Sequence, residues 1–167
     1  MKAVVIIPAR MASSRLPGKP LADIGGVPMI VRVWAQAMKA GVGPVVVAAA
    51  EQEIADAVER AGGHAVLTHP DLPSGSDRIF AALQGIDPGG RYDTVINLQG
   101  DLPALDPGQI CAAAEALPGF DIATLAAPIT QDEDKTNPAV VKAVVAWDPE
   151  GAKGRALYFT RATAPTG

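Results

Sequence analysis

Apolar runs rich in valine and isoleucine recur along the chain, separated by stretches with the three-to-four residue period of amphipathic helices. Ala3 to Ile7 is apolar without a break, as a central strand covered on both faces must be, and Pro8 is expected to stop its hydrogen-bond ladder. The chain from Pro8 to Pro20 then reads as loop. Pro28 opens a helix to about Ala40 with Ile30, Val33, Trp34 and Ala37 on one face, and Gly41 and Gly43 end it. Val45 to Ala49 predicts the second strand, and "EQEIADAVERAGG" predicts a helix with Ile54, Ala55 and Val58 inward before a glycine stop. Ala65 to Thr68 gives a short third strand. Ser76 is placed to cap a helix running to about Gly85, Thr94 to Leu98 is a further buried strand, and Pro107 begins a helix that ends near Leu117. Ile122 to Ala126, Val140 to Trp147 and Ala156 to Phe159 carry the strand pattern again. Strands and helices in alternation predict a mainly parallel sheet with helices on both faces, a three-layer α/β/α sandwich. No repeat, low-complexity tract or linker interrupts the pattern, so residues 1–167 are expected to form one domain.

Composition narrows the partners. With 49% hydrophobic residues the chain can build a packed core, and a net charge of −4 without any run of Lys or Arg argues against nucleic acid or an anionic membrane as partner. Cys111 is the single cysteine, which excludes an internal disulfide or a cysteine-rich zinc site, and its helical setting reads as a structural thiol. The apolar run at the start is too short for a signal peptide or a membrane span, so a cytoplasmic protein is expected.

In open α/β sheets ligands bind beyond the carboxyl ends of the strands, which directs attention to the loops after Ile7 and Leu98. The first, "PARMASSRLPGKP", gathers Arg10, Arg15 and Lys19 with Ser13, Ser14 and Gly18 in a chain that is acidic overall. A polyphosphate needs such a set of fixed cations, hydroxyls and backbone N–H groups; a solvated surface loop is the competing reading. The P-loop pattern fails, because Ser13 stands where its first glycine belongs and Pro20 where its Ser or Thr belongs, and "IGGVP" is a turn rather than a dinucleotide fingerprint. The second loop, "QGDLP", places Asp101 past a strand end. There a carboxylate holds Mg²⁺ against phosphate, or simply caps a turn, while Gln99 beside it both donates and accepts hydrogen bonds. His64 and His69 lack metal-ligand spacing and read as surface or strand-end residues, and "QDEDK" (131–135) reads as an acidic surface turn.

"IPARMASSRLPGKPLADIGGVPMI" resembles the signature of the 3-deoxy-manno-octulosonate (Kdo) cytidylyltransferases, and the likeness continues through "DLPSGSDR", "NLQGDLP", "ATLAAPI", "NPAVVKAVV" and "ALYFTRATAP". CMP-sialic acid synthetases share an "IPAR"-like opening, but "RLPGKPL" resembles the Kdo branch. The resemblance implies a Rossmann-like nucleotide-diphospho-sugar transferase fold. It also implies transfer of CMP from CTP to the anomeric hydroxyl of Kdo for lipopolysaccharide biosynthesis, with Mg²⁺ as cofactor and a homodimeric full-length protein. By matching positions, Arg10, Ser13, Arg15 and Lys19 would hold the triphosphate, and Ser74, Gly75 and Arg78 would approach the nucleotide. Gln99 and Arg161 would contact the sugar acid, Asp101 would be the metal ligand, and Lys19, Arg15 and Asp101 would serve catalysis. Three departures accompany the match: Ala50 stands for the family's usual aspartate, Leu72 and Pro73 for a polar pair, and Leu102 for a glutamate. Family members continue for roughly 80 residues beyond "RATAP", about half a domain. The chain is therefore expected to be C-terminally truncated relative to the family, to lack a second aspartate for Mg²⁺ and part of the dimer surface, and to turn over poorly if it truly ends at Gly167. A cytidylyltransferase for another acidic sugar, amino-Kdo or a nonulosonic acid, and a non-catalytic nucleotide-binding remnant are the alternatives.

Overall fold

Val4, Val5, Ile6 and Ile7 are wholly shielded from solvent, because the strand they form, β1 (Ala3–Ala9), lies inside a sheet covered on both faces. The structure is a computed structural model that describes residues 1–12 and 16–163. Two compact units divide the chain, Met1–Glu115 and Ala116–Gly167.

In the first unit β1 is followed by a single 3-10 turn (Lys19–Leu21), α1 (Met29–Ala40), β2 (Val45–Ala49), α2 (Gln52–Arg60), β3 (His64–Leu67), α3 (Gly75–Ile86), β4 (Thr94–Asn97) and α4 (Pro107–Glu115). The four strands are parallel in the order β3-β2-β1-β4. Val5, Ile7 and Ala9 pack with Val45, Val47 and Ala49 against Ile30, Val33 and Ala37 of α1, Ile54, Ala55 and Val58 of α2, and Ile110 of α4. Val4, Ile6, Val46 and Ala48 face the other way, onto Ile79 and Ala82 of α3. The result is the three-layer sandwich with a parallel sheet that the alternating pattern predicts. Each buried Val or Ile contributes about 1.5–3 kcal/mol, so β1 and β2 are fixed supports for whatever their carboxyl ends carry.

Several elements differ from the sequence-based expectation. Pro8 does not end β1, which runs on to Ala9. Alternate residues of β1 direct their backbone groups to opposite neighbours: Val5 N–H donates to Pro44 and the Ala9 carbonyl accepts from Ala50 on the β2 side, whereas the Ile6 carbonyl accepts from Leu98 on the β4 side. Pairing with β4 ends at Ile6 opposite Asn97, so on that side the ladder does stop short of Pro8, which has no N–H to continue it, while on the other side β1 runs on along β2 to Ala9. Helix α3 begins at Gly75, capped by Ser74 rather than Ser76; Ser74 is extended (ψ 166°) and its Oγ accepts the Asp77 N–H. Strand β4 is an edge among the described residues, with Val95 and Asn97 exposed rather than buried.

The second unit contains α5 (Asp132–Thr136) and the antiparallel pair β5 (Lys142–Trp147) and β6 (Gly154–Thr160), joined with a register shift at Val144/Val145. Buried Lys142 donates from Nζ to the carbonyls of Asn137, Val140 and Arg161, which ties both ends of the hairpin together. The "QDEDK" turn is one short helix whose three acids occupy its first turn, where the helix dipole favours them. Ile122 to Ala126 forms no strand: an extended segment becomes one only with a ladder partner, and among the described residues it pairs with none. No helix among the described residues is long and apolar enough to cross a membrane.

Candidate active site

From β1 the chain proceeds outward to β2 and β3, then returns across β1 to β4. The loops leaving β1 and β4 therefore diverge at the carboxyl edge, the switch point at which an open α/β sheet offers a crevice. The loop after β1 is held at both ends through Met11, whose N–H donates to Glu51 Oε2 at 2.9 Å and whose carbonyl accepts the Gly18 N–H at 3.1 Å. Gly18 takes a left-handed conformation (φ 71°) that suits glycine and starts the 3-10 turn carrying Lys19. On the β4 side the Leu98 N–H makes the last rung to Ile6, and Gly100 follows close over β1. A Cβ at Gly100 would sit 2.8 Å from the Pro8 carbonyl oxygen, so only glycine lets the next residue, Asp101, reach inward at this level.

Lys19 Nζ and Asp101 Oδ2 meet at 2.7 Å, with side chains 37% and 49% exposed. Two adjoining clefts share Pro8, Ala9, Arg10 and Gln99 as walls. One, of about 300 Å³, is completed by Ala12, Lys19, Pro20, Met29, Gly100 and Asp101; the other, of about 230 Å³, by Leu72, Ser74, Gly75 and Arg78. The first offers cations and a carboxylate. The second offers the apolar edges of Pro8 and Leu72 beside the start of α3. Exposed Arg10 stands at both.

Arg78 lines the smaller cleft, yet it is only 2% exposed and its guanidinium is committed to the chain between β3 and α3. Nη1 donates to the Thr68 hydroxyl and the His69 carbonyl, and Nη2 to the Pro70 carbonyl at 3.0 Å. Burial lowers its pKa from the usual guanidinium value, against which the Glu51 charge raises it, and nearby Arg10 lowers it further. It stays charged at any physiological pH, since guanidinium does not deprotonate in proteins. Ser74 is similarly occupied: its Oγ accepts the Asp77 N–H and donates to Asp77 Oδ2. Gln99 Nε2 donates to Asn97 Oδ1 at 3.1 Å and is exposed along both clefts.

Thus Arg10, Lys19, Ser74, Gly75, Arg78, Gln99 and Asp101 come together around one strand-end crevice. Ser13 and Arg15 lie outside the described residues. Arg161 belongs to the second unit, where its Nη1 donates to the carbonyls of Pro138 and Ala139. Cys111 donates to the Ala40 carbonyl at the end of α1, as a structural thiol does. Sequence reasoning passed over Glu51 and Thr68. The one signal for Glu51 was its place, a charged residue at the carboxyl end of a buried strand on the same edge as Arg10 and Asp101.

No group of three or more His, Cys, Asp or Glu among the described residues forms a ready-made metal cage. A magnesium ion, which dehydrates reluctantly, is commonly held by one or two carboxylates together with substrate phosphates and water. Asp101, beside Lys19 in the larger cleft, fits that mode of holding.

Comparison with known proteins gives a consistent result. A family profile described as cytidylyltransferase matches residues 4–167. The chain is 67% identical over 166 residues to the 3-deoxy-manno-octulosonate cytidylyltransferase of Parvibaculum lavamentivorans, covering 98% of this chain and 64% of that protein. It is 62% identical over 167 residues to the enzyme of the same name from Rhodospirillum rubrum, covering 98% and 66%. Among solved structures, CMP:2-keto-3-deoxy-manno-octonic acid synthetase complexed with CTP superposes with a TM-score of 0.85 at 40% identity, over 99% of this chain and 66% of that one. The chain spans about two thirds of the length of each of these relatives.

Proposed function

The chain belongs to the cytidylyltransferase family and, within it, to the 3-deoxy-manno-octulosonate cytidylyltransferases; from that premise we propose that the protein transfers CMP from CTP to the anomeric hydroxyl of Kdo, supplying activated Kdo for lipopolysaccharide synthesis in the cytoplasm. The observation that carries the proposal is the meeting of Lys19 and Asp101 in one cleft at the switch point of the sheet.

In this reading the anomeric hydroxyl of the sugar attacks the α-phosphorus and releases its proton to solvent, the bond from that phosphorus to its bridging oxygen breaks, and pyrophosphate leaves with the electron pair. Arg10 and Lys19 hold the triphosphate, Lys19 as a compact charge facing the oxygens on which negative charge accumulates. Asp101 would hold Mg²⁺, which when bound neutralises phosphate charge and fixes phosphate geometry. An exposed Lys–Asp pair is worth only about 0–1 kcal/mol. Lys19 and Asp101 therefore exchange one another for phosphate and metal at little cost, and their contact keeps both side chains extended toward the place where they act. The smaller cleft, with Pro8 and Leu72 as apolar edges, receives the nucleoside. No enzyme nucleophile is required, and catalysis rests on alignment and charge stabilisation.

Pyrophosphate release measured with CTP, Mg²⁺ and a panel of acidic sugars tests the proposal. Release that requires both CTP and Kdo is expected. Preference for amino-Kdo or a nonulosonic acid would move the protein to another sugar, and CTP binding without release by any sugar would support the non-catalytic alternative.

A further inference from the structure

Beyond the groups that face the clefts, we propose that Glu51 is a positioning residue that sets the loop bearing Arg10 and Lys19 through the backbone N–H of Met11; this rests on the reading of that loop as the triphosphate holder.

Val5, Ile7 and Ala9 turn their backbone groups toward β2, and the last such rung is the Ala50 N–H to the Ala9 carbonyl. The next N–H on that side, just past the end of β1, is that of Met11, but beyond Ala50 the chain turns into α2. Glu51 supplies the missing acceptor, its Oε2 taking the Met11 N–H at 2.9 Å across 40 residues of sequence. Although Glu51 is the N-cap residue of α2, its side chain makes no cap bond there. It is turned instead to the neighbouring loop. Because the Met11 carbonyl accepts from Gly18, one residue fixes both where the loop leaves the sheet and where it returns. Arg10 precedes that clamp and Lys19 follows it, so the carboxylate governs the spacing of the two cations.

An acid beside an anion site is costly unless it does something an uncharged group would not, or unless its charge is offset. The Glu51 charge acts favourably on buried Arg78, which offsets it locally. What the loop needs from it is the acceptor. Glu51→Gln keeps an oxygen acceptor and removes a charge that opposes triphosphate, so it should bind CTP within about 3-fold of the unaltered protein. Glu51→Ala removes the acceptor, and Glu51→Asp retracts it by one methylene while retaining the charge. Each should weaken CTP binding about 10-fold, the size expected for one hydrogen bond to a charged group.

The experiment pairs calorimetric titration of CTP in Mg²⁺ with amide hydrogen exchange of the peptide containing Met11, recorded without nucleotide. Faster Met11 exchange and weaker CTP binding in Glu51→Ala and Glu51→Asp, with both retained in Glu51→Gln, is the expected result. The inference is overturned if Glu51→Asp matches the unaltered protein in both measurements, or if Glu51→Gln is as impaired as Glu51→Ala, since charge rather than the acceptor would then be at work. Failure of the unaltered protein to bind CTP would refute the triphosphate reading instead, and the exchange data would still decide whether Glu51 holds the loop. Glu51→Asp serves in place of Glu51→Ala should the latter not fold.

Discussion

Lys19 and Arg78 are both cations at the edge of one crevice, and the structure separates their work. Lys19 is about a third exposed and, among the described residues, its ammonium bonds a carboxylate that can be exchanged, so Lys19→Met should leave the fold intact and weaken CTP binding by about 10- to 100-fold, as loss of a charge-assisted contact does. Arg78 is buried and bonded to Thr68, His69 and Pro70. Arg78→Met should therefore cost about 2–4 kcal/mol of stability in urea denaturation, because three acceptors lose a charged donor at once; Arg78→Lys should recover only part of it, since an ammonium lacks the planar fork. A third charged residue predicts a pH effect. Asp87 accepts the backbone N–H groups of Tyr92 and Arg91 and the Arg91 Nε–H, and these bonds, the Tyr92 one foremost, hold its pKa below the usual carboxylate value despite burial. A depressed carboxylate stabilises the fold above its unfolded pKa of about 4 and loses that contribution as pH falls through the lower folded value. Thermal melts from pH 7 down to pH 3 should thus fall more steeply for the unaltered protein than for Asp87→Asn. The sequence made Lys19 and Asp101 legible because each is charged directly after a strand-and-loop signal. It could not show that Arg78 serves the loop, since its partners are mostly main-chain carbonyls, which leave no residue-type pattern.

At the scale of elements, the site depends on how closely the β4 loop passes over β1. With the Gly100 Cα placed so that a Cβ would lie 2.8 Å from the Pro8 oxygen, Gly100→Ala must push the loop away and part Asp101 from Lys19; CTP binding in Mg²⁺ should weaken while far-ultraviolet dichroism stays unchanged. Ser74→Ala removes the cap of α3 and should cost about 1 kcal/mol of stability, measurable by the same denaturation. The helices and buried strands were readable from period and composition because each buries a continuous face. Where expectation and structure part, the reason lies in what a single stretch of sequence does not contain. The cap of α3 is the exception, because Ser74 stands three residues before Asp77, whose carboxylate accepts from its hydroxyl, a local pattern that the choice of Ser76 passed over. Pro8 is tolerated inside β1 because its missing N–H falls on the β4 side and leaves the β2 ladder whole, and Ile122 to Ala126 stays irregular for want of a pairing partner. Both depend on neighbours elsewhere in the chain.

At the scale of the whole molecule, strand order creates the crevice and the loops only furnish it. The alternation of elements made the parallel sandwich legible, whereas the β3-β2-β1-β4 order that brings Arg10 and Lys19 beside residues 99–101 is a long-range outcome. Their separation of some eighty positions is bridged by one ion pair at 2.7 Å. The most direct test of the account is the effect of Mg²⁺ on CTP affinity, titrated in parallel for the unaltered protein and Asp101→Asn. The account predicts that Mg²⁺ tightens CTP binding in the unaltered protein and that Asp101→Asn abolishes most of that gain. Equal tightening in both would contradict it, for the carboxylate opposite Lys19 would then have no part in holding the metal.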